Sequence, residues 1–196
     1  MESLIGSSAA RVRQAWITRR RLVLGLAALL PPWCGPARAQ AEEGMDEAHV
    51  KAAFLYKFTG YVDWPDAAFE RPDAPFVMGV LGAPVLQGAL SELVVGRKVR
   101  DRAIRVRKMQ AGESAAGLHL LFVGRAEPLR GEAAPRPVLV VTEVEGGLPR
   151  GSMINFLLVE RRVRFEIALP NVEKAGLRVS SRLLGVAQRV IQDEEH

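Results

Sequence analysis

The stretch Phe76-Val-Met-Gly-Val-Leu-Gly-Ala-Pro84 decides the fold. Six near-continuous apolar residues are too few for a helix of normal length and read as a strand covered on both faces, as parallel strands usually are. Gly82-Ala-Pro84 then turns the chain. Residues 85–95 follow as a helix with Leu86, Leu90, Leu93 and Val94 inward. Ala103-Ile-Arg-Val-Arg107 alternates with period two, which predicts a half-exposed or edge strand. Working outward from this strand–helix–strand unit, Leu118-His-Leu-Leu-Phe-Val123 and Val138-Leu-Val-Val-Thr142 repeat the buried-strand pattern.

Towards the C-terminus, Met153-Ile-Asn-Phe-Leu-Leu-Val159, Glu160-Arg161-Arg162 and Val163-Arg-Phe-Glu-Ile167 predict a β-hairpin. Its second strand turns Val163, Phe165 and Ile167 one way and Arg164 and Glu166 the other. Pro170-Asn171 opens a short helical turn ended by Gly176. Ser180 is a suitable N-cap for a last helix over residues 181–191, with Leu183, Leu184, Ala187 and Val190 inward. Towards the N-terminus, Val50, Ala53, Phe54, Phe58, Tyr61 and Val62 recur at helical spacing over residues 47–62, and Trp64-Pro65 ends the run. Together these predict an α/β fold: a compact layered sandwich with a mixed, largely parallel sheet, an N-terminal amphipathic helix and a C-terminal hairpin plus helix.

The first 39 residues read differently. Arg11, Arg13, Arg19, Arg20 and Arg21 precede the short apolar run Leu22-Val-Leu-Gly-Leu-Ala-Ala-Leu-Leu30, and Ala37-Arg38-Ala39 has the small-x-small form of a cleavage site. That order predicts a secretory signal peptide cleaved near Ala39 and a periplasmic product. Thr18-Arg19-Arg20-Arg21-Leu22-Val23 fits a twin-arginine signal, and the general secretory route stays open. The remaining divisions are a polar, flexible leader at 40–46, one domain at 47–192 and an acidic tail at 193–196. Six of the 27 basic residues and one of the 22 acidic residues lie in residues 1–39, so the rest of the chain carries 21 of each. The basic pI therefore belongs to the leader and gives no reason to expect nucleic-acid binding. The single cysteine, Cys34, lies there as well, which leaves the exported domain without a disulfide or a cysteine-ligated metal.

Catalytic constellations are missing from the pattern. Gly79-x-x-Gly82 lacks the remaining glycines of a dinucleotide loop, and Pro84 stands where helix-terminal amides would meet phosphate. His49, His119 and His196 are far apart in sequence and provide no metal-ligand spacing, so neither metal nor cofactor is expected. Ser180-Ser181 reads as a helix cap with no His–Asp pair to activate it. The one strong charge bias is Arg97, Lys98, Arg100, Arg102, Arg105, Arg107 and Lys108. It reads as a charge-protected edge strand or, functionally, as a contact for an acidic partner or anionic headgroups.

His49-Val-Lys-Ala-Ala-Phe-Leu-Tyr-Lys-Phe58 followed by Val62-Asp-Trp-Pro65 resembles the opening signature of the YfiR family of periplasmic proteins. Phe76–Gly82 resembles its first strand, and Gly151-Ser-Met-Ile-Asn-Phe156, Val163–Ile167 and Leu177-Arg-Val-Ser-Ser-Arg-Leu-Leu184 resemble its closing signature. The match spans about residues 48–190. Phe54, Trp64, Asn155, Phe156, Phe165, Ser180 and Ser181 stand at its motif positions as structural residues. The resemblance implies a non-enzymatic, cofactor-free regulator, often a homodimer, that binds the periplasmic domain of an inner-membrane diguanylate cyclase or sensor kinase. In such a system an outer-membrane lipoprotein titrates the repressor away, and cyclic di-GMP and biofilm formation rise. Leu118 and Ala168 depart from the family pattern, which often has cysteine and asparagine there.

The expected contact surface combines Lys51 and Lys57 on the first helix with Arg164, Glu166 and Arg182 near the C-terminus. An intramolecular ion-pair cluster pinning the last helix to the sheet is the equal alternative for the last three. A periplasmic small-molecule-binding sensor domain is the alternative function.

Overall fold

The computed structural model describes residues 36–125 and 137–192. Residues 1–35 of the expected signal peptide and the acidic tail at 193–196 lie outside the described residues. Residues Ala39–His196 form one compact unit.

The chain enters through helix α1 (Pro36–Tyr61), which runs on through the segment expected as a flexible leader. Strand β1 (Val62–Asp63) and a 3-10 turn at Asp66–Ala68 follow. Next come β2 (Phe76–Leu81), α2 (Pro84–Leu93), β3 (Lys98–Val99) and β4 (Arg102–Met109). After β5 (Leu120–Val123) and β6 (Leu139–Thr142), the hairpin β7 (Ile154–Val159) and β8 (Arg162–Ala168) leads into α3 (Leu169–Lys174). The chain closes with β9 (Arg178–Val179), α4 (Ser181–Leu184) and β10 (Arg189–Ile191).

Eight strands form one sheet in the order β10-β8-β7-β6-β5-β2-β4-β3, and β1 pairs with β9 separately. Only β7–β8 and β3–β4 are antiparallel within the large sheet, so it is mixed and largely parallel as predicted. The predicted last helix is the exception. After the single turn α4, the backbone returns to extended form and β10 joins β8. Gly185 ends the helix, and Val190-Ile191 are β-branched residues suited to a strand.

Phe76, Met78, Val80, Leu120, Phe122, Val141, Ile154, Phe156, Phe165 and Ile167 occupy one face and form the main core. The buried residues of all four helices join this same core, from Leu55 and Phe58 in α1 to Leu183 in α4. The opposite face holds only a small apolar cluster of Met109, Leu118 and Val138. Val77, Leu81 and Leu121 pack against this cluster and are partly buried, so the second face of these strands is covered less completely than the first. The chain passes from β4 to β5 and from β6 to β7 in loops, so among the described residues no helix is available to cover that side.

Helix α1 also differs from its predicted orientation. Ala48, Lys51, Ala52, Leu55, Phe58, Thr59 and Val62 are buried, whereas Val50 and Tyr61 are exposed. The helix carries two apolar stripes at helical spacing, and the one that enters the core is rotated from the one that periodicity alone selects.

Close approaches fix the sheet's centre. Gly124 N–H donates to Leu81 C=O at 2.9 Å, and a Cβ on Gly124 would lie 2.8 Å from Gly82 O. Backbone thus fills the gap at the C-terminal ends of β2 and β5, where an open α/β sheet would hold a ligand. The Gly79-x-x-Gly82 segment is a packed strand end.

Candidate functional site

The five surface candidates separate in space. Lys57, Arg164 and Arg182 are exposed. Lys51 is only 7% exposed, and its ammonium is held between the carboxylates of Glu47 and Glu143. Arg125 joins this cluster at 3.6 Å from Glu47, 3.6 Å from Glu143 and 3.4 Å from Glu145. Lys51 therefore locks α1 to the C-terminal end of β6, and its charge is directed inward.

Glu166 is likewise not an outward residue, being 1% exposed. One carboxylate oxygen accepts from Asn155 Nδ2 at 3.1 Å, and the other accepts from Arg189 Nε and Nη2 at 2.9 and 2.6 Å. The cation that reaches it is Arg189, not Arg182, because β10 lies beside β8 with Arg189 opposite Glu166. An ion-pair cluster does pin the C-terminal segment to the sheet, through a strand in place of the expected helix. Alternation put Glu166 with Arg164 on a polar face, and that face is closed here by partners distant in sequence.

Asn155 makes the centre of that closure. Its Oδ1 accepts from Thr142 Oγ1 at 2.9 Å and Val144 N–H at 2.8 Å, while Nδ2 also donates to Val144 C=O at 3.0 Å. Ser152 Oγ lies 2.8 Å from Thr142 Oγ1. A buried amide with every group engaged is inexpensive to keep and costly to disturb. Arg189, Thr142 and Ser152 were not singled out in the sequence, where each looks like an ordinary surface or strand residue.

The aromatic motif residues interlock on the other side of the sheet. Phe54 lies 6.0 Å from Phe156 and 5.5 Å from Phe165, and Phe58 lies 5.9 and 5.2 Å from the same two rings. Trp64 Nε1–H donates to His119 C=O at 3.0 Å. His119 stacks between Phe69 and Phe76 at 4.4 and 4.9 Å, and its Nδ1 accepts from Val77 N–H at 3.0 Å. The lone pair that a general base would use is thus engaged by backbone. Ser180 Oγ accepts from Leu183 N–H at 3.4 Å as the cap of α4, and Ser181 C=O accepts from Gly185 N–H at 2.9 Å. Ser180 thus caps the helix with its hydroxyl, whereas Ser181 is exposed and contributes only its backbone carbonyl. Among the described residues no three His, Cys, Asp or Glu side chains gather as a metal site.

Most of the basic stripe is spent within the fold. Arg97 sits over the Tyr56 ring, Arg100 pairs with Asp63, and Arg107 lies 3.3 Å from Glu113. Arg102 covers Phe69 at 3.8 Å and donates to Arg71 and Ala74 carbonyls.

Among the open sites is a groove of about 550 Å³ between the middle of α1 and the tip of the β7–β8 hairpin. Val50 and Phe54 line one side, and Leu158 and Val163 the other. Arg161, Arg162 and Arg164 line the hairpin wall, opposite Asp46 and Glu47.

A scan against protein-family models matches residues 48–188 to the YfiR/HmsC-like family. The chain belongs to the YfiR/HmsC-like family. The match covers α1 from residue 48 onward and every strand from β1 to β9, so it is the domain itself that is shared. Members of this family are periplasmic regulators rather than enzymes, linked to diguanylate cyclase control. A comparison with curated proteins found no match. Among the described residues no helix is long and apolar enough to cross a membrane.

Proposed function

We propose that this chain is a periplasmic regulatory binding protein that represses a membrane-bound diguanylate cyclase, or a related sensor kinase, by binding its periplasmic domain. Export would use the N-terminal signal peptide, with cleavage near Ala39. The observation that carries the reading is the family match across residues 48–188. The geometry agrees with it in kind: His119 and Ser180 are engaged inside the fold, and an exposed apolar groove with a cationic wall lies between α1 and the hairpin.

A repressor of this kind works by differential affinity. It must hold the inactive conformation of its target more tightly than the active one. A preference of about 3 kcal/mol shifts such an equilibrium by roughly a hundredfold. An outer-membrane lipoprotein that competes for the repressor would reverse the shift, and a homodimer would present two contact surfaces.

The test is genetic and quantitative. Deleting the gene in its host should raise cellular cyclic di-GMP and biofilm mass, and the wild-type gene in trans should restore both. Unchanged cyclic di-GMP after deletion, with the protein shown to be expressed beforehand, would overturn the reading.

A further inference from the structure

Resting on the regulatory reading, we propose that the groove between α1 and the β7–β8 hairpin receives an amphipathic helix of the partner, with apolar residues on the floor and acidic residues against Arg162 and Arg164. Three observations converge on this.

The first is the second apolar stripe of α1. A helix that covers a sheet needs one apolar stripe, and α1 has that in Ala52, Leu55 and Phe58. Val50 and Phe54 form another, one helical turn apart, and they line the groove. Val50 remains 44% exposed.

The second is the far wall. Leu158 and Val163 are a cross-strand pair in the hairpin register, two positions beyond the Phe156–Phe165 pair on the same face. They carry the core-facing side of the hairpin past the end of the core, and Leu158 is left 51% exposed. The floor therefore has two apolar rows, one on a helix and one on a hairpin. A partner helix about 10 Å across would fill the space between two such rows with side chains three or four residues apart.

The third is charge. Arg162 and Arg164 are exposed and make no ion pair among the described residues. Of the two acids facing them, Glu47 is already bound by Lys51 and Arg125, which leaves the exposed Asp46 against two available cations. The groove thus presents an excess of available positive charge. This asymmetry favours an acidic helix over a second copy of this chain. A second copy would bring its own excess of arginines, with Asp46 as its one available acid.

The experiment uses fluorescence anisotropy with labelled model peptides of about five helical turns. One carries leucines every third or fourth residue with glutamates along one flank. A second has lysines in place of the glutamates, and a third repeats the first with two interior prolines. The purified chain should bind the glutamate peptide saturably and the lysine and proline peptides at least about tenfold more weakly, a difference of about 1.4 kcal/mol. Leu158→Asp should abolish binding. The double variant Arg162→Glu, Arg164→Glu should reverse the preference between the glutamate and lysine peptides. Because these side chains are exposed, thermal melts of the variants should match that of the wild type. Equal binding of all three peptides, or none by the glutamate peptide, would overturn the proposal. So would sedimentation showing a dimer that Leu158→Asp dissociates, since the groove would then belong to a second copy. The regulatory reading is judged separately, because cyclic di-GMP after gene deletion does not depend on what the groove holds.

Discussion

Phe156 pairs with Phe165 across the β7–β8 hairpin, and the neighbouring rung pairs Asn155 with Glu166. The two rungs are one residue apart and face opposite sides of the same sheet. On one side Phe54 and Phe58 descend from α1 and meet the phenylalanines ring on ring. On the other, an amide and a carboxylate are buried just as fully and held by Thr142, Val144 and Arg189. Dispersion and water release stabilise the first face without a fixed partner geometry. The second must satisfy every lone pair and proton in place, so it adds little net free energy yet tolerates few alternatives. The difference shows how one hairpin can supply both stability and register.

The aromatic face should give the largest effect. Phe58 is fully buried and meets the rings of Phe54, Phe156 and Phe165, so Phe58→Ala is expected to cost about 3–5 kcal/mol. Urea unfolding would measure it as a lower midpoint with little change in slope. A cost under about 1 kcal/mol would mean that the helix-covered face is loosely packed, which breaks the comparison at its stronger side.

The polar face should follow closely despite its small net contribution. Asn155→Ala removes one side chain but takes the side-chain partner from Val144 N–H, Val144 C=O and one oxygen of Glu166. A loss of about 3 kcal/mol is expected, because each buried group left unpaired costs about 1–3 kcal/mol. Loss of protection at the Val144 amide in hydrogen exchange would assign the effect to this network. If Asn155→Ala unfolds at the wild-type midpoint, water replaces the amide and the face specifies nothing.

The same contrast explains what was legible beforehand. Apolar burial leaves a periodic signal, so the strands at 76–81, 120–123 and 139–142, the hairpin and the parallel character of the sheet could be read. Burial of polar residues leaves none. Glu166 alternates with Arg164 just as an exposed pair would, and its concealment depends on Asn155 and on Arg189, 11 and 23 residues away. Lys51 looked outward for the same reason, since its partner Glu143 is 92 residues distant. The two stripes of α1 posed a different problem. Periodicity identifies apolar stripes but does not rank them, and Val50 and Phe54 match a helical period as well as Ala52 and Leu55 do. The last helix failed because capping by Ser180 starts a helix without setting its length, and the pairing of β10 with β8 is a tertiary contact.

A smaller effect is expected where the second face is apolar. A Cβ on Gly79 would lie 2.6 Å from Leu118 Cδ1 and 3.0 Å from Met109 Cγ. Both are parts of flexible side chains, so Gly79→Ala should cost only about 1 kcal/mol of overpacking. Leu118→Ala opens the same space, and the double variant should therefore be less destabilised than the two singles predict. The coupling should reach about 0.5–1 kcal/mol in a double-mutant cycle. Strict additivity would mean that Leu118 has moved away from the sheet, leaving the polar network as the only organised part of that face.

The smallest effect lies at the hairpin tip, where neither face reaches. Glu160 and Arg161 both have positive φ, at 48° and 61°, which is the geometry of a two-residue turn best served by Asn-Gly. Non-glycine residues in this region cost about 1 kcal/mol each. Replacing the pair, Glu160→Asn with Arg161→Gly, should therefore stabilise the fold by about 1 kcal/mol, once the greater freedom glycine gives the unfolded chain is subtracted. Thermal unfolding should move up by a few degrees, in the range of about 2–8 °C per kcal/mol for domains of this size class. The result discriminates between two origins of the hairpin register. If the rungs Asn155–Glu166 and Phe156–Phe165 fix the register, a better turn adds its free energy and the side-chain contacts stay as they are. If the charged turn instead sets the register, an Asn-Gly turn would leave the core signals of Phe156 and Phe165 shifted. The rungs should prevail, since slipping the pairing by one residue would carry Glu166 to the aromatic face and Phe165 to the polar one.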